Sequence, residues 1–136
     1  MKKKILIVSA NYYSDISTGL ESSAFEVIIN KKDNAKKYKV DVFKVPGVFE
    51  IPVMIAKNIK KYDAFLALGC IIKGETPHFD FISKTSIDAI MKLSIENKKP
   101  IGNGIITCFN KKQAESRKDK GSEAAKAVLS VLGSEK

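Results

Sequence analysis

Arginine is nearly missing from this 136-residue chain: of 24 basic residues, only Arg117 is not a lysine. The formal net charge of +9 would suit a nucleic-acid-binding module. Base readout, however, leans on the bidentate guanidinium fork, which a single arginine cannot supply repeatedly. Many of the lysines stand in pairs, Lys31-Lys32, Lys60-Lys61 and Lys98-Lys99, where helices are expected to end and cations suit the helix dipole. Solvated helix ends account for most of the charge, and attraction of phosphorylated ligands follows as a secondary consequence. No nucleic-acid partner is expected. One would announce itself by a steep salt dependence of binding.

Histidine occurs once, at His78, and cysteine twice, at Cys70 and Cys108. The cysteines have no C-x-x-C spacing and no histidine nearby, and the carboxylates are not clustered. A metal centre is therefore not expected, nor any other cofactor. Two thiols that each close an apolar run read as buried and reduced, as in a reducing compartment. No apolar run reaches the roughly 20 residues of a membrane span. Met1-Lys2-Lys3-Lys4 is a positive start, but Ile5–Val8 is too short for the core of a signal peptide. The expectation is a cytoplasmic protein with no membrane partner. Repeats, low-complexity tracts and linkers are also missing. With 44% hydrophobic and 29% charged residues, positions 1–136 read as one globular domain, large enough to bury roughly two-thirds of its unfolded surface.

What the chain does have is alternation. Lys4–Ser9 and Ala64–Ile72 are continuous apolar runs, as in strands covered on both faces. Val40–Val45 and Ile101–Thr107 complete a set of four strands, and Asn30–Lys39 reads as a polar loop. Ile16, Leu20, Ala24, Val27 and Ile28 recur at helical spacing behind Asp15, a candidate cap. Helices are also expected over Glu50–Lys60, Pro77–Ile95, Lys111–Arg117 and Lys120–Leu132, with Pro52 confined to a first turn. Strands alternating with helices imply right-handed crossovers. The fold class is α/β: a single-domain, flavodoxin-like three-layer sandwich with a four-stranded parallel sheet and helices on both faces.

Such sheets bind ligands outside the carboxyl ends of their strands, which places attention on Ala10–Ser14, Pro46–Glu50, Ile72–His78 and Cys108–Asn110. The third segment belongs to the stretch Gly69–Asp80, GCIIKGETPHFD. There a strand turns through Gly74 into a helix that Thr76 can cap and Pro77 can open. Free amides at the positive end of a helix dipole suit a phosphate. An imidazole one turn into that helix, His78, adds a side chain whose ordinary charge change falls near neutrality.

That stretch resembles the central motif of lumazine synthases. Further segments match the family in order: Asn11-Tyr12, Val45–Pro52, Pro100–Thr107, Gln113–Arg117 and Lys120–Ala125. The resemblance covers Ile5 to about Leu132. It implies that Tyr12 stacks on a pyrimidine ring and that Glu50 accepts hydrogen bonds from a ribityl chain. It also implies that the backbone of Val48, Phe49, Cys70, Ile71 and Ile72 holds the same substrate. Glu75, Thr76, Arg117 and Lys120 would bind a phosphate, with backbone amides acting at Glu75 and Thr76. His78 would move protons. Asn103 stands where many members have a phenylalanine over the ring, Tyr13 where a polar residue is usual, and Asn11 where arginine is usual. Only Lys118-Asp119 separate Arg117 from Lys120, a shorter connection than the family's.

The function this resemblance implies is condensation of 5-amino-6-(D-ribitylamino)uracil with 3,4-dihydroxy-2-butanone 4-phosphate to 6,7-dimethyl-8-ribityllumazine, with release of phosphate and water. The partners implied are these small molecules and further copies of the chain. The family forms a ring of five with sites between neighbours, and assembly of rings into a shell is left open. A flavodoxin-like protein that binds a flavin or phosphate without turnover would share the fold. The joint presence of His78, Glu50 and Arg117 separates the enzyme from it.

Overall fold

The computed structural model describes residues 2–30, 34–75 and 78–133. Strand β1 (Lys3–Ala10) leads into α1 (Ser14–Ile28), a single turn α2 (Asn34–Lys37) and β2 (Tyr38–Val45). A 3₁₀ turn (Val48–Glu50) opens α3 (Ile51–Asn58), followed by β3 (Ala64–Ile72), α4 (Phe79–Asn97), β4 (Ile101–Cys108), α5 (Lys111–Ser116) and α6 (Lys120–Gly133). All strand pairs are parallel, in the order β2-β1-β3-β4. The α/β architecture is the expected one. Two expectations are corrected. Asn30–Lys39 is not all loop: Asn34–Lys37 form a helical turn, and β2 begins at Tyr38 rather than Val40. Asp15 does not cap α1, whose N-cap is Tyr13 with no side-chain cap bond. Asp15 instead sits in the first turn and pairs with Lys111, 3.3 Å away on α5.

The apolar runs of β1 and β3 are explained by the period of a strand, since successive side chains face opposite layers. Ile5 and Ile7 of β1, with Leu66, Leu68 and Cys70 of β3, pack under Leu20 and Ala24 of α1 and Ala125 and Val128 of α6. Leu6, Val8 and Ala10, with Phe65, Ala67 and Ile71, pack against Val48, Ile51 and Ile55 and against Ile90 of α4. One continuous run in sequence thus supplies two separate cores. Among the described residues, no helix is long and apolar enough to cross a membrane.

The α1–α6 crossing is the tightest joint between helices. Ser23 on α1 donates its hydroxyl to the Lys118 carbonyl at 2.8 Å and accepts the Ser122 N–H at 3.1 Å. It therefore caps the start of α6 from a neighbouring helix. The approach depends on Gly121, where a Cβ would lie 2.1 Å from the Leu20 carbonyl oxygen. Gly121→Ala should accordingly lower the unfolding free energy by roughly 1–3 kcal/mol through overpacking. Gly133→Ala, where nothing lies within 4 Å, should be neutral or stabilise by up to about 1 kcal/mol. Urea unfolding at fixed protein concentration checks both.

Candidate active site

Helix α1 leaves β1 toward one face of the sheet, and α4 leaves β3 toward the other. The two strands are neighbours, so their following turns part and open a crevice at the switch point. A cavity of about 420 Å³ occupies it. Tyr12 and Tyr13 come from the β1 turn, Gly47, Val48, Phe49 and Glu50 from the β2 turn, and Cys70, Ile71, Ile72 and Glu75 from the end of β3. Ile82 of α4 closes the wall. Seven of the eight residues expected to hold a pyrimidine and ribityl chain therefore line one cavity. The eighth, Asn103, is exposed on β4 outside it, with its side-chain oxygen accepting the Ile105 N–H at 3.0 Å.

Each wall has a local cause. Pro46-Gly47 ends β2, and the Glu50 carboxylate reaches back to accept the Gly47 N–H at 2.9 Å. That bond fixes the Val48–Glu50 turn and presents the half-exposed Phe49 ring to the opening. Tyr12 is 72% exposed and meets the Tyr13 ring edge-on, with centroids 4.9 Å apart. Such rigid exposed aromatic area suits a planar ligand. Gly74 takes φ +92°, which lets the chain reverse after β3. The Glu75 N–H donates to the Ile72 carbonyl at 3.2 Å, so that amide already has a partner. The Glu75 carboxylate accepts the Tyr13 hydroxyl at 3.0 Å across the crevice. Burial first, and then this bond to Glu75, pushes the Tyr13 phenol well above its ordinary range.

His78 is the N-cap of α4, not a residue one turn inside it. Its carbonyl accepts the Ile82 N–H at 2.8 Å, and it is exposed and not part of the cavity wall. Thr76 and Pro77 lie outside the described residues. Arg117 and Lys120 are not in the cavity either. They line a separate depression of about 370 Å³ beside β4, with Thr107, Asp119 and Glu123. There Arg117 Nη1 donates to the Thr107 carbonyl at 3.3 Å and lies 4.0 Å from Cys108 Sγ. A groove of about 380 Å³ at the other end of β4, lined by Ile95, Pro100 and Val131, shows that volume alone does not select a site.

The sequence pattern of the 6,7-dimethyl-8-ribityllumazine synthase family matches residues 2–136. A 6,7-dimethyl-8-ribityllumazine synthase of Bartonella henselae is 42% identical over 144 residues, covering 99% of this chain and 90% of the relative. One from Rhodopseudomonas palustris is 40% identical over 95% of this chain and 83% of its own length. One from Cutibacterium acnes is 36% identical, covering 95% and 80%. The chain belongs to the lumazine synthase family.

Within this lumazine synthase family member, the residue that sequence reading undervalued is Tyr13. Its partner Glu75 is 62 positions away, and no spacing rule connects them. The cysteines are free and buried, as expected. Burial, reinforced by the neighbouring Cys108, pushes the Cys70 thiol up to about 12. Burial also raises Cys108, with Arg117 pulling the other way. Folding therefore favours the protonated Cys70 thiol, a contribution present below the ordinary value of about 9 and lost as pH rises toward 12. At pH 8 the folded protein should react with iodoacetamide at least about a hundredfold more slowly than the urea-unfolded chain. Mass spectrometry of the two alkylated samples gives the ratio.

Proposed function

We propose that this family member is a working lumazine synthase. It condenses 5-amino-6-(D-ribitylamino)uracil with 3,4-dihydroxy-2-butanone 4-phosphate, a transfer that belongs to riboflavin biosynthesis. The observation that carries the assignment of roles is the gathering of Tyr12, Val48, Phe49, Glu50, Cys70, Ile71 and Ile72 around one cavity at the switch point. Tyr12 stacks on the pyrimidine, helped by the exposed Phe49. Glu50 accepts from the ribityl hydroxyls with the carboxylate oxygens left over from its bond to Gly47, and a charged acceptor suits a polyol. Backbone groups of Val48, Phe49, Cys70, Ile71 and Ile72 read the edges of the ring.

The second substrate lies toward the start of α4, whose dipole favours its phosphate. The 5-amino group attacks the ketone and water is lost to give an imine; loss of a proton and of phosphate leaves an enol that becomes a methyl ketone, and the ribitylamino nitrogen adds to that carbonyl and expels a second water to close the ring. Each step moves protons, and His78 beside the cavity relays them. Holding the two reactants together supplies much of the remaining acceleration.

Arg117, Lys120 and Asn103 complete the site from a neighbouring copy. The support for this is that they share no cavity with Tyr12, Glu50 and Glu75 in one chain. The apolar surface around the α3–α4 groove agrees: Phe81 is 65% exposed and Val53 57%. In that groove the buried Ser86 Oγ has no hydrogen-bond partner among the described residues. We take the assembly to be a ring of five, as the family resemblance implies, acting in the cytoplasm, where free Cys70 and Cys108 stay reduced.

The test is to mix both substrates with the purified protein and follow fluorescence of the lumazine product. Turnover above the uncatalysed rate is expected; its absence in folded protein would overturn the reading. His78→Ala should lower kcat by roughly 10- to 100-fold, at or below the low end for a positioned proton carrier, and leave measurable activity.

A further inference from the structure

The bond from Tyr13 to Glu75 joins the turns after β1 and β3, which belong to opposite layers of the sandwich. Nothing in the reaction calls for a carboxylate at Glu75. A negative charge three residues before the N-cap of an anion-binding helix opposes the phosphate it is meant to receive. Glu75 is exposed, so its side chain is free of packing and needs another restraint. The restraint is visible: Tyr13 Oη donates to Glu75 Oε2 at 3.0 Å. The phenol itself is held by the edge-on contact with Tyr12 and by its place as the N-cap of α1. It is therefore a fixed post, while the carboxylate is the movable partner.

We infer that Tyr13 is a positioning residue for the phosphate half of the site. It holds the Glu75 carboxylate against the β1 turn and out of the path of the phosphorylated substrate. A hydrogen bond to one carboxylate oxygen also draws negative charge toward the donor, away from the helix start. Because the post is built on Tyr12, the residue assigned to the pyrimidine, the two substrate sites share one side-chain assembly. This inference rests on the function proposed above, and it assigns the role to the Tyr13 hydroxyl through its bond to Glu75.

The decisive comparison is Tyr13→Phe, which removes the hydroxyl and keeps the ring, in two backgrounds. In the wild-type background, KM for the butanone phosphate should rise about fivefold. The calorimetric affinity for inorganic phosphate should weaken by a similar factor. The value of kcat and the KM for the pyrimidine should stay within twofold. In a Glu75→Gln background, which has no charge to restrain, adding Tyr13→Phe should change neither phosphate quantity. An equal loss in both backgrounds, or no loss in the first, would overturn the inference. Should Tyr13→Phe fold poorly, Glu75→Ala at the exposed end of the pair decides the matter. Removing the carboxylate should leave phosphate affinity equal to or tighter than wild type, and a weakening would contradict the role. A wild-type protein that makes lumazine while these variants behave otherwise defeats the positioning role alone. A wild-type protein without turnover defeats the proposed function and this role with it.

Discussion

The constraint on which this molecule depends is the strand order β2-β1-β3-β4 in an all-parallel sheet. Right-handed crossovers oblige the chain leaving β1 to cover one face and the chain leaving β3 to cover the other. The two central strands must then be apolar on both sides, and they are: Ile5–Ala10 and Ala64–Ile72 are buried throughout. The same divergence prevents the turns after β1 and β3 from packing on each other. A gap remains at the carboxyl end of the sheet, and turns supply most of its walls, with the end of β3 and Ile82 of α4 completing them. Turns are where side chains can be chosen for chemistry without disturbing a core. A side-chain bond from Tyr13 to Glu75 spans the gap.

Two kinds of information were legible in the sequence. Hydrophobic period set the strands and helices within a few residues, because burial on one or both faces writes itself directly into the pattern. Turn chemistry placed the walls of the cavity: Pro46-Gly47 and Gly74 break regular structure where substrate groups must approach backbone. What stayed hidden was geometry that depends on long-range pairing. Asn34–Lys37 looked like a loop because one alanine among three polar residues leaves no apolar period, and none of the four is buried. Asp15 looked like a cap, but the turn from β1 places it inside the helix, and Lys111 from α5 takes its charge. His78 was expected inside a helix that starts only at Phe79. No local signal pairs Tyr13 with a residue 62 positions on.

The distribution of the remaining site residues follows from the sheet as well. Asn103 and Arg117 belong to β4 and to the end of α5, and β4 is an edge strand, one position removed from the switch point. Side chains there cannot reach across β3 into the crevice of their own chain. They face outward, with Asn103 exposed and Arg117 anchored on the Thr107 carbonyl. An edge that carries the arginine proposed to bind phosphate is suited to complete a neighbour's crevice. The exposed apolar residues of α3 and α4 give such a neighbour a reason to dock. Under the proposed assembly, folding and catalysis become one problem, because a chain alone would hold only part of the site.

That claim is tested most directly by complementation. His78→Ala and Arg117→Ala proteins are unfolded, mixed in equal amounts and refolded, with native mass spectrometry confirming mixed rings. If the site lies between copies, some interfaces join an intact His78 to an intact Arg117, and activity rises clearly above that of either parent refolded alone. Mixed rings whose activity never exceeds the better parent would place His78 and Arg117 in the site of a single chain and contradict the account.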